Sequence, residues 1–182
     1  MDKENRSYLK IKREHLQKLR HITVKDQDSF FSRYPKYNLF REKIYCILLV
    51  QGAALHYVNG INGIKDFDVL VLYKENGNKY DEDGKLIRIY PKRVCSYDCE
   101  MAEFGRYPND DIDKYPNRRV DVLMREIGND LTDNSDLITA INKYFENGTT
   151  QSIKEWRKKA VVGIWPDEIQ SKVMWHKELI LD

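Results

Sequence analysis

The sequence predicts one α/β domain, of the α+β kind, with helices packed on a β-sheet. Three observations predict it. Residues 44–50 and 66–73 are strand-length runs that are apolar on both faces, the second after two opening carboxylates. Between them, Gln51-Gly52 breaks the first run and Ala53 to Val58 suit a short helix. Residues 119–124 give a third core strand with one carboxylate inside it. The 182 residues are 41% hydrophobic and 33% charged, enough apolar material for a single core, and no linker separates two domains.

The elements follow in order. Residues 1–40 read as an N-terminal helical arm. Within it, residues 4–20 form a basic amphipathic helix with an apolar stripe of Leu9, Ile11, Leu16 and Leu19, packed on the core as an outer helix. A second helix covers 25–33, with Thr23 as a possible cap and Pro35 as its end. Residues 41–130 read as the core. It holds the strand 44–50, the helix closed by Asn59-Gly60, the strand 66–73 and the strand 119–124. An insert at about 75–117 interrupts it. The insert has turn clusters at 75–78 and 81–84, a hairpin-like strand over 85–94, and an irregular acidic stretch over 95–117. Residues 131–182 read as a C-terminal helical extension. Asn134 or Ser135 caps a helix ending near Asn147-Gly148, and another helix covers 150–162. Trp156, Trp165 and Trp175 anchor these last elements in the core.

Charge and composition exclude several classes. Lysine and arginine number 31 against 29 aspartates and glutamates, so a net charge of +2 makes no global case for nucleic-acid binding. No apolar run reaches the length of a membrane helix, and the first residues lack the apolar core of a secretory signal. Cys46, Cys95 and Cys99 are an odd number that reads as reduced thiols, so the expected location is the cytoplasm. Cys95 and Cys99 have no second Cys or His pair at zinc-finger spacing.

The chemistry concentrates in three places. Alternation along a strand projects Asp66 and Asp68 from one face, roughly 6–7 Å apart. Carboxylates so close repel unless positive charge lies between them, and Mg²⁺ is the usual answer. Asp121, set between Val120 and Val122, is costly among apolar residues without a positive partner and completes the set from a neighbouring strand. Three carboxylates on one sheet surface suit two metal ions for in-line phosphoryl or nucleotidyl transfer. The Gly52-Ala53 turn supplies a helix N-terminus, whose unpaired N–H groups bind phosphate oxygens. Lys65, Arg118 and Arg119 flank the carboxylate strands, as phosphate partners or as solvated strand ends. His56 and Tyr57 follow on the helix, where packing competes with phosphate or base contact.

Gly52-Ala53, then twelve residues, then Asp66-Phe67-Asp68-Val69, and later Val120-Asp121-Val122, resembles the signature of the DNA polymerase β-like nucleotidyltransferase superfamily. The resemblance covers about residues 44–125 and points to small, minimal-type bacterial members. It implies a nucleotidyltransferase-like mixed sheet with helices on one side. It implies transfer of a nucleoside monophosphate from a nucleoside triphosphate to an acceptor hydroxyl, with two Mg²⁺. Asp66 and Asp68 would ligate both metals. Asp121 would ligate the catalytic one and help to activate the acceptor. Gly52, Ala53 and Lys65 would hold the nucleotide. The family has Gly or Ser where this chain has Ala53, a loss of one hydroxyl hydrogen bond worth about 1 kcal/mol.

The acceptor is left open among a small molecule, a protein side chain and an RNA end. A different class of reading is a non-catalytic module of the same fold, a toxin- or antitoxin-like partner protein or a nucleic-acid binder, which Ala53 and the basic first helix favour. A metal-dependent phosphohydrolase using the same carboxylates is a third, weakened by the lack of His-Asp clusters.

Overall fold

A six-stranded mixed sheet forms the centre of the molecule. The computed structural model describes residues 10–60, 64, 66–75, 77, 79–89, 92–96 and 119–176, with 92–96 and 119 as backbone only. The chain runs α1 (Arg13–Arg33), a 3₁₀ segment (Pro35–Lys43), β1 (Ile44–Val50), α2 (Gln51–Asn59) and β2 (Phe67–Lys74). It continues with β3 (Lys92–Ser96), β4 (Arg119–Ile127), α3 (Asn129–Asp133), α4 (Leu137–Asn147), α5 (Gln151–Arg157), β5 (Ala160–Trp165) and β6 (Val173–His176). The strand order is β3-β4-β2-β1-β5-β6. Among the described residues only β2 and β4 run parallel; the other neighbouring pairs are antiparallel.

Helices cover both faces, not one. Ile47, Leu49, Val69, Val71 and Val122 pack under α1 and α2, with Leu16, Leu19, Phe31 and Ala54. Leu48, Leu70, Leu72 and Leu123 pack on the other side under α4 and α5, with Ile141, Phe145 and Trp156. The reason is in the strands themselves. β1 and β2 are buried along nearly their whole length, and strands apolar on both faces need cover on both.

The N-terminal arm is one helix where two were expected. Thr23 caps nothing; it is buried in mid-helix, and its Oγ1 donates to the Leu19 carbonyl at 2.8 Å. Such back-bonding lets a hydroxyl residue sit inside a helix. Pro35 does end the helical run, which stops at Arg33. Residues 4–9 of the expected helix lie outside the described residues.

The C-terminal segment departs most from expectation. Its first part is helical as expected, in α4 and α5, but Ala160–Trp165 then enters the sheet beside β1, and Val173–His176 forms its edge. Ala160-Val161-Val162 was read as the end of a helix. It is instead the start of a buried strand, as a continuous β-branched run is apt to be. Gly163 permits the tight return from β5 to β6. A Cβ there would stand 2.0 Å from the Ile169 carbonyl oxygen. The two smaller corrections are local. The helix cap is Asp136, not Asn134 or Ser135, with Thr139 N–H donating to its Oδ1 at 3.0 Å. Of the strand expected over 85–94, the described residues hold a Tyr80–Leu86 bridge and β3 at Lys92–Ser96; residues 90 and 91 lie outside them, and Glu126 accepts the backbone N–H of buried Ile89 at 3.0 Å. Of the irregular stretch over 95–117, residues 97–117 lie outside the described residues.

Candidate active site

β1 ends in fully buried Val50, and the chain then turns sharply into α2. The turn is made by Gln51, whose φ is +61°. This left-handed conformation is uncommon for a residue with a side chain, and such positions gather at functional sites. Gly52 was expected to supply the conformational freedom. It does not adopt a left-handed φ, and a Cβ built on it meets nothing within 4 Å. Its contribution is open space beside the backbone. The first turn of α2 carries no side-chain cap, since its N-cap is Val50. Its leading N–H groups are therefore available to an anion.

Ala53 is completely buried in the core under α2. Its methyl group is a packing group, and only its backbone N–H remains for a phosphate. The missing hydroxyl thus falls at a position whose side chain faces protein.

Asp68 and Asp121 occupy paired positions of the parallel strands β2 and β4. Asp68 is 8% exposed and Asp121 1%. Val50, the last residue of β1, pairs with Asp68 from the other side. One register row therefore runs Asp121, Asp68, Val50, and Val50 leads directly into the Gln51-Gly52 turn. Neighbouring strands lie about 4.8 Å apart, which puts the two carboxylates and the turn at one end of the sheet. The carboxylates share a face with Leu70 and Leu123, whereas α2 packs on the opposite face. The turn rounds the sheet end between the two.

Asp66 is half-buried and stands one residue before β2, whose pairing with β4 begins at Phe67–Val120. Among the described residues no three His, Cys, Asp or Glu side chains gather into a group that could hold a metal ion. The structure brings Asp68 and Asp121 together and leaves Asp66 at the rim. The pair is an all-oxygen donor set, and Mg²⁺ fits such a set, taking one or two carboxylates and filling its other positions with water and phosphate oxygens.

The remaining candidates divide clearly. Lys65 and Arg118 lie outside the described residues, and Arg119 is placed by its backbone only, in register with Ser96. His56 is fully buried within α2. Tyr57 is part-buried and donates its hydroxyl to the Ser171 carbonyl at 3.4 Å, a packing role. Trp156 is a core residue, and Trp175 donates its Nε1–H to the Arg157 carbonyl at 3.1 Å. Arg20 lies over the Trp165 ring at 5.7 Å. Cys46 is buried, and desolvation pushes its thiol far above the usual range, so it is no nucleophile.

A cavity of about 340 Å³ opens between Lys36 and Tyr37 on one side and Asp81 to Arg88 on the other. Arg88 reaches Glu126, whose register partner is Tyr73. Five residues of strand, about 16 Å, separate that row from the Asp68–Asp121 row. The cavity is at the other end of the sheet and is not part of this site.

Two contributors escaped the sequence reading. Gln51 gave no signal, because nothing in its residue type foretells a left-handed φ. The β5 end, where Ala160 bridges to Gln51, was hidden by reading 150–162 as helix. A scan against protein-family models finds no match, and searches of curated proteins and of solved structures find none either.

Proposed function

We propose that the chain is a Mg²⁺-dependent nucleotidyltransferase, moving a nucleoside monophosphate from a nucleoside triphosphate to an acceptor hydroxyl. The observation that carries the reading is the Asp68–Asp121 register pair beside the uncapped first turn of α2. Asp68 and Asp121 would hold the metal, with Asp66 at the rim as the candidate third ligand. Mg²⁺ bound there would neutralise phosphate charge and favour loss of the acceptor's proton.

The chain's own groups supply the rest. The N–H groups of Gly52 and Ala53 orient and partly neutralise phosphate oxygens. Gly52 leaves the space in which those oxygens approach the backbone. The buried setting of Asp68 and Asp121 lowers the local dielectric response, which strengthens every interaction with the reacting phosphate. The acceptor class stays open among small molecules, proteins and RNA ends.

One observation favours a second reading. A carboxylate pair, rather than a group of three, is what the described residues bring together. That suits a module which binds nucleotide and transfers nothing, as a partner protein would. The discriminating experiment supplies α-phosphate-labelled triphosphates with Mg²⁺ and pools of sugars, aminoglycosides, protein and RNA. Label on an acceptor, with pyrophosphate released and both lost in Asp121→Asn, supports transfer. Tight Mg²⁺-dependent binding with no label transferred supports the module.

A further inference from the structure

We infer that the cavity at the far end of the sheet is a second binding site, which takes a mononucleotide unit with its base against Tyr37 and its phosphate on Lys36 and Lys85. The inference is independent of the proposed transfer reaction, because about 16 Å of strand separates this cavity from the Asp68–Asp121 row.

The walls come from two segments far apart in the chain, and both are pinned. Tyr37 belongs to the 3₁₀ segment. Its backbone N–H donates to the Tyr34 carbonyl at 3.0 Å, and its ring stacks on buried Phe30 with 5.2 Å between centroids. The opposite wall is a closed turn. The Asp81 N–H donates to the Lys85 carbonyl at 2.9 Å, the Lys85 N–H returns to the Asp81 Oδ1 at 2.8 Å, and the Ile87 N–H donates to the Lys79 carbonyl at 2.9 Å. Arg88 ties this wall to the sheet, its Nη1 donating to Glu75 at 3.2 Å and to Glu126 at 3.0 Å. The cavity of about 340 Å³ is therefore preformed, and small-molecule sites begin at about 300 Å³.

The lining has the two parts that a mononucleotide calls for. Tyr37, Leu86 and Ile87 are half-buried and offer aromatic and aliphatic surface to a flat ring. With them stand three cations, Lys36, Lys85 and Arg88, against one lining carboxylate, Asp81. Arg88 is engaged by Glu75 and Glu126. Lys36 and Lys85 form no ion pair with a carboxylate among the described residues, and the Lys36 Nζ lies 5.2 Å from the centroid of the Tyr37 ring. An exposed contact of that kind is worth about 0.5–1 kcal/mol, so the ammonium leaves the ring readily for a phosphate. Both lysines are exposed, and their long stems and three donors suit phosphate oxygens without a fixed geometry. Asp81 gives Oδ1 to the turn, and Oδ2 is left to accept from a ribose hydroxyl. The shared chemistry is a base, a ribose and a phosphate, which a free nucleoside monophosphate and the 5′ end of an RNA both carry.

Calorimetric titration of the full chain with AMP, ribose 5-phosphate and a 5′-phosphorylated RNA trinucleotide, all in EDTA, tests this. EDTA and the Asp68→Asn/Asp121→Asn double variant keep the proposed metal site out of the readout. AMP is expected to bind wild type and the double variant alike, and about tenfold tighter than ribose 5-phosphate. Lys36→Gln and Lys85→Gln, at exposed positions that leave the fold intact, should each weaken AMP about tenfold, and the exposed control Lys158→Gln should not. A trinucleotide that binds tighter than AMP supports the inference with an RNA end as the source; one that binds no tighter supports it with the free nucleotide. Failure of AMP to bind at millimolar concentration, equal affinity for AMP and ribose 5-phosphate, or AMP binding untouched by both lysine variants overturns it. The transfer reading stands or falls separately, on triphosphates with Mg²⁺.

Discussion

Asp68 and Asp121 stand side by side in the parallel strand pair β2–β4, both nearly removed from solvent. Paired positions on neighbouring strands lie about 4.8 Å apart, and two ionised carboxylates at about that spacing repel by about 3 kcal/mol at an effective dielectric constant near 20. In a site arranged to receive a cation, that repulsion outweighs what the carboxylates' other contacts return until the cation arrives. Asp68→Asn should therefore raise the stability of the metal-free protein by on the order of 1 kcal/mol. It should also remove the rise in melting temperature that Mg²⁺ gives wild type. Thermal melts in EDTA and in Mg²⁺ check both. A purely structural pair, whose fixed contacts outweigh the repulsion, gives the opposite sign: Asp68→Asn then lowers the melting temperature in EDTA.

The turn before α2 separates conformation from access. Gln51→Gly removes the cost of a side chain at φ +61° and should stabilise the fold by about 1 kcal/mol. Gly52→Val places a side chain in open space, so the fold should persist while triphosphate binding falls at least about tenfold. Chemical denaturation and titration calorimetry on the two variants separate these effects. Loss of folding in Gly52→Val would contradict the assignment of that space to a ligand.

Ala53→Ser tests what the departure from the family pattern means. If the position faced phosphate, the added hydroxyl would tighten triphosphate binding. The structure buries Ala53 completely in the core, so the hydroxyl should instead cost about 1 kcal/mol of stability and leave the affinity unchanged. Parallel melts and titrations give the answer.

The reach of sequence reasoning follows the range of the interactions. β1 was legible because seven apolar residues in a row admit little else, and α2 was legible at its end because Gly60 takes the left-handed C-cap. The Asp-x-Asp motif and Asp121 were visible as residue types. Their pairing was not, since it joins strands separated by most of an insert and depends on register. β5 was missed because Ala160 follows a helix without a Gly or Pro to mark the change. Its strand character comes from packing against β1. Thr23 misled for a related reason. Its hydroxyl caps a helix or bonds back into one, and only the buried face of α1 decides which.

Asp136 gives a pH test independent of the site. Hydrogen bonds from the Thr139 backbone and hydroxyl hold its carboxyl below the ordinary value of 3.8. The folded-state pKa lies under the unfolded one, so the stabilisation is complete above about pH 4 and is lost as the pH falls through the folded value. Asp136→Ala should lower the melting temperature by a few degrees at pH 7, and the gap should close in strong acid. A gap that stays constant down to pH 2 would mean that the cap contributes through something other than its charge.

The most direct test of the central claim is calorimetric titration of the four nucleoside triphosphates into wild type and the Asp68→Asn/Asp121→Asn double variant, with Mg²⁺ and with EDTA. The account predicts binding by wild type that requires Mg²⁺ and disappears in the double variant. Failure of every triphosphate to bind wild type at millimolar concentration, or binding that persists unchanged in the double variant, would contradict it.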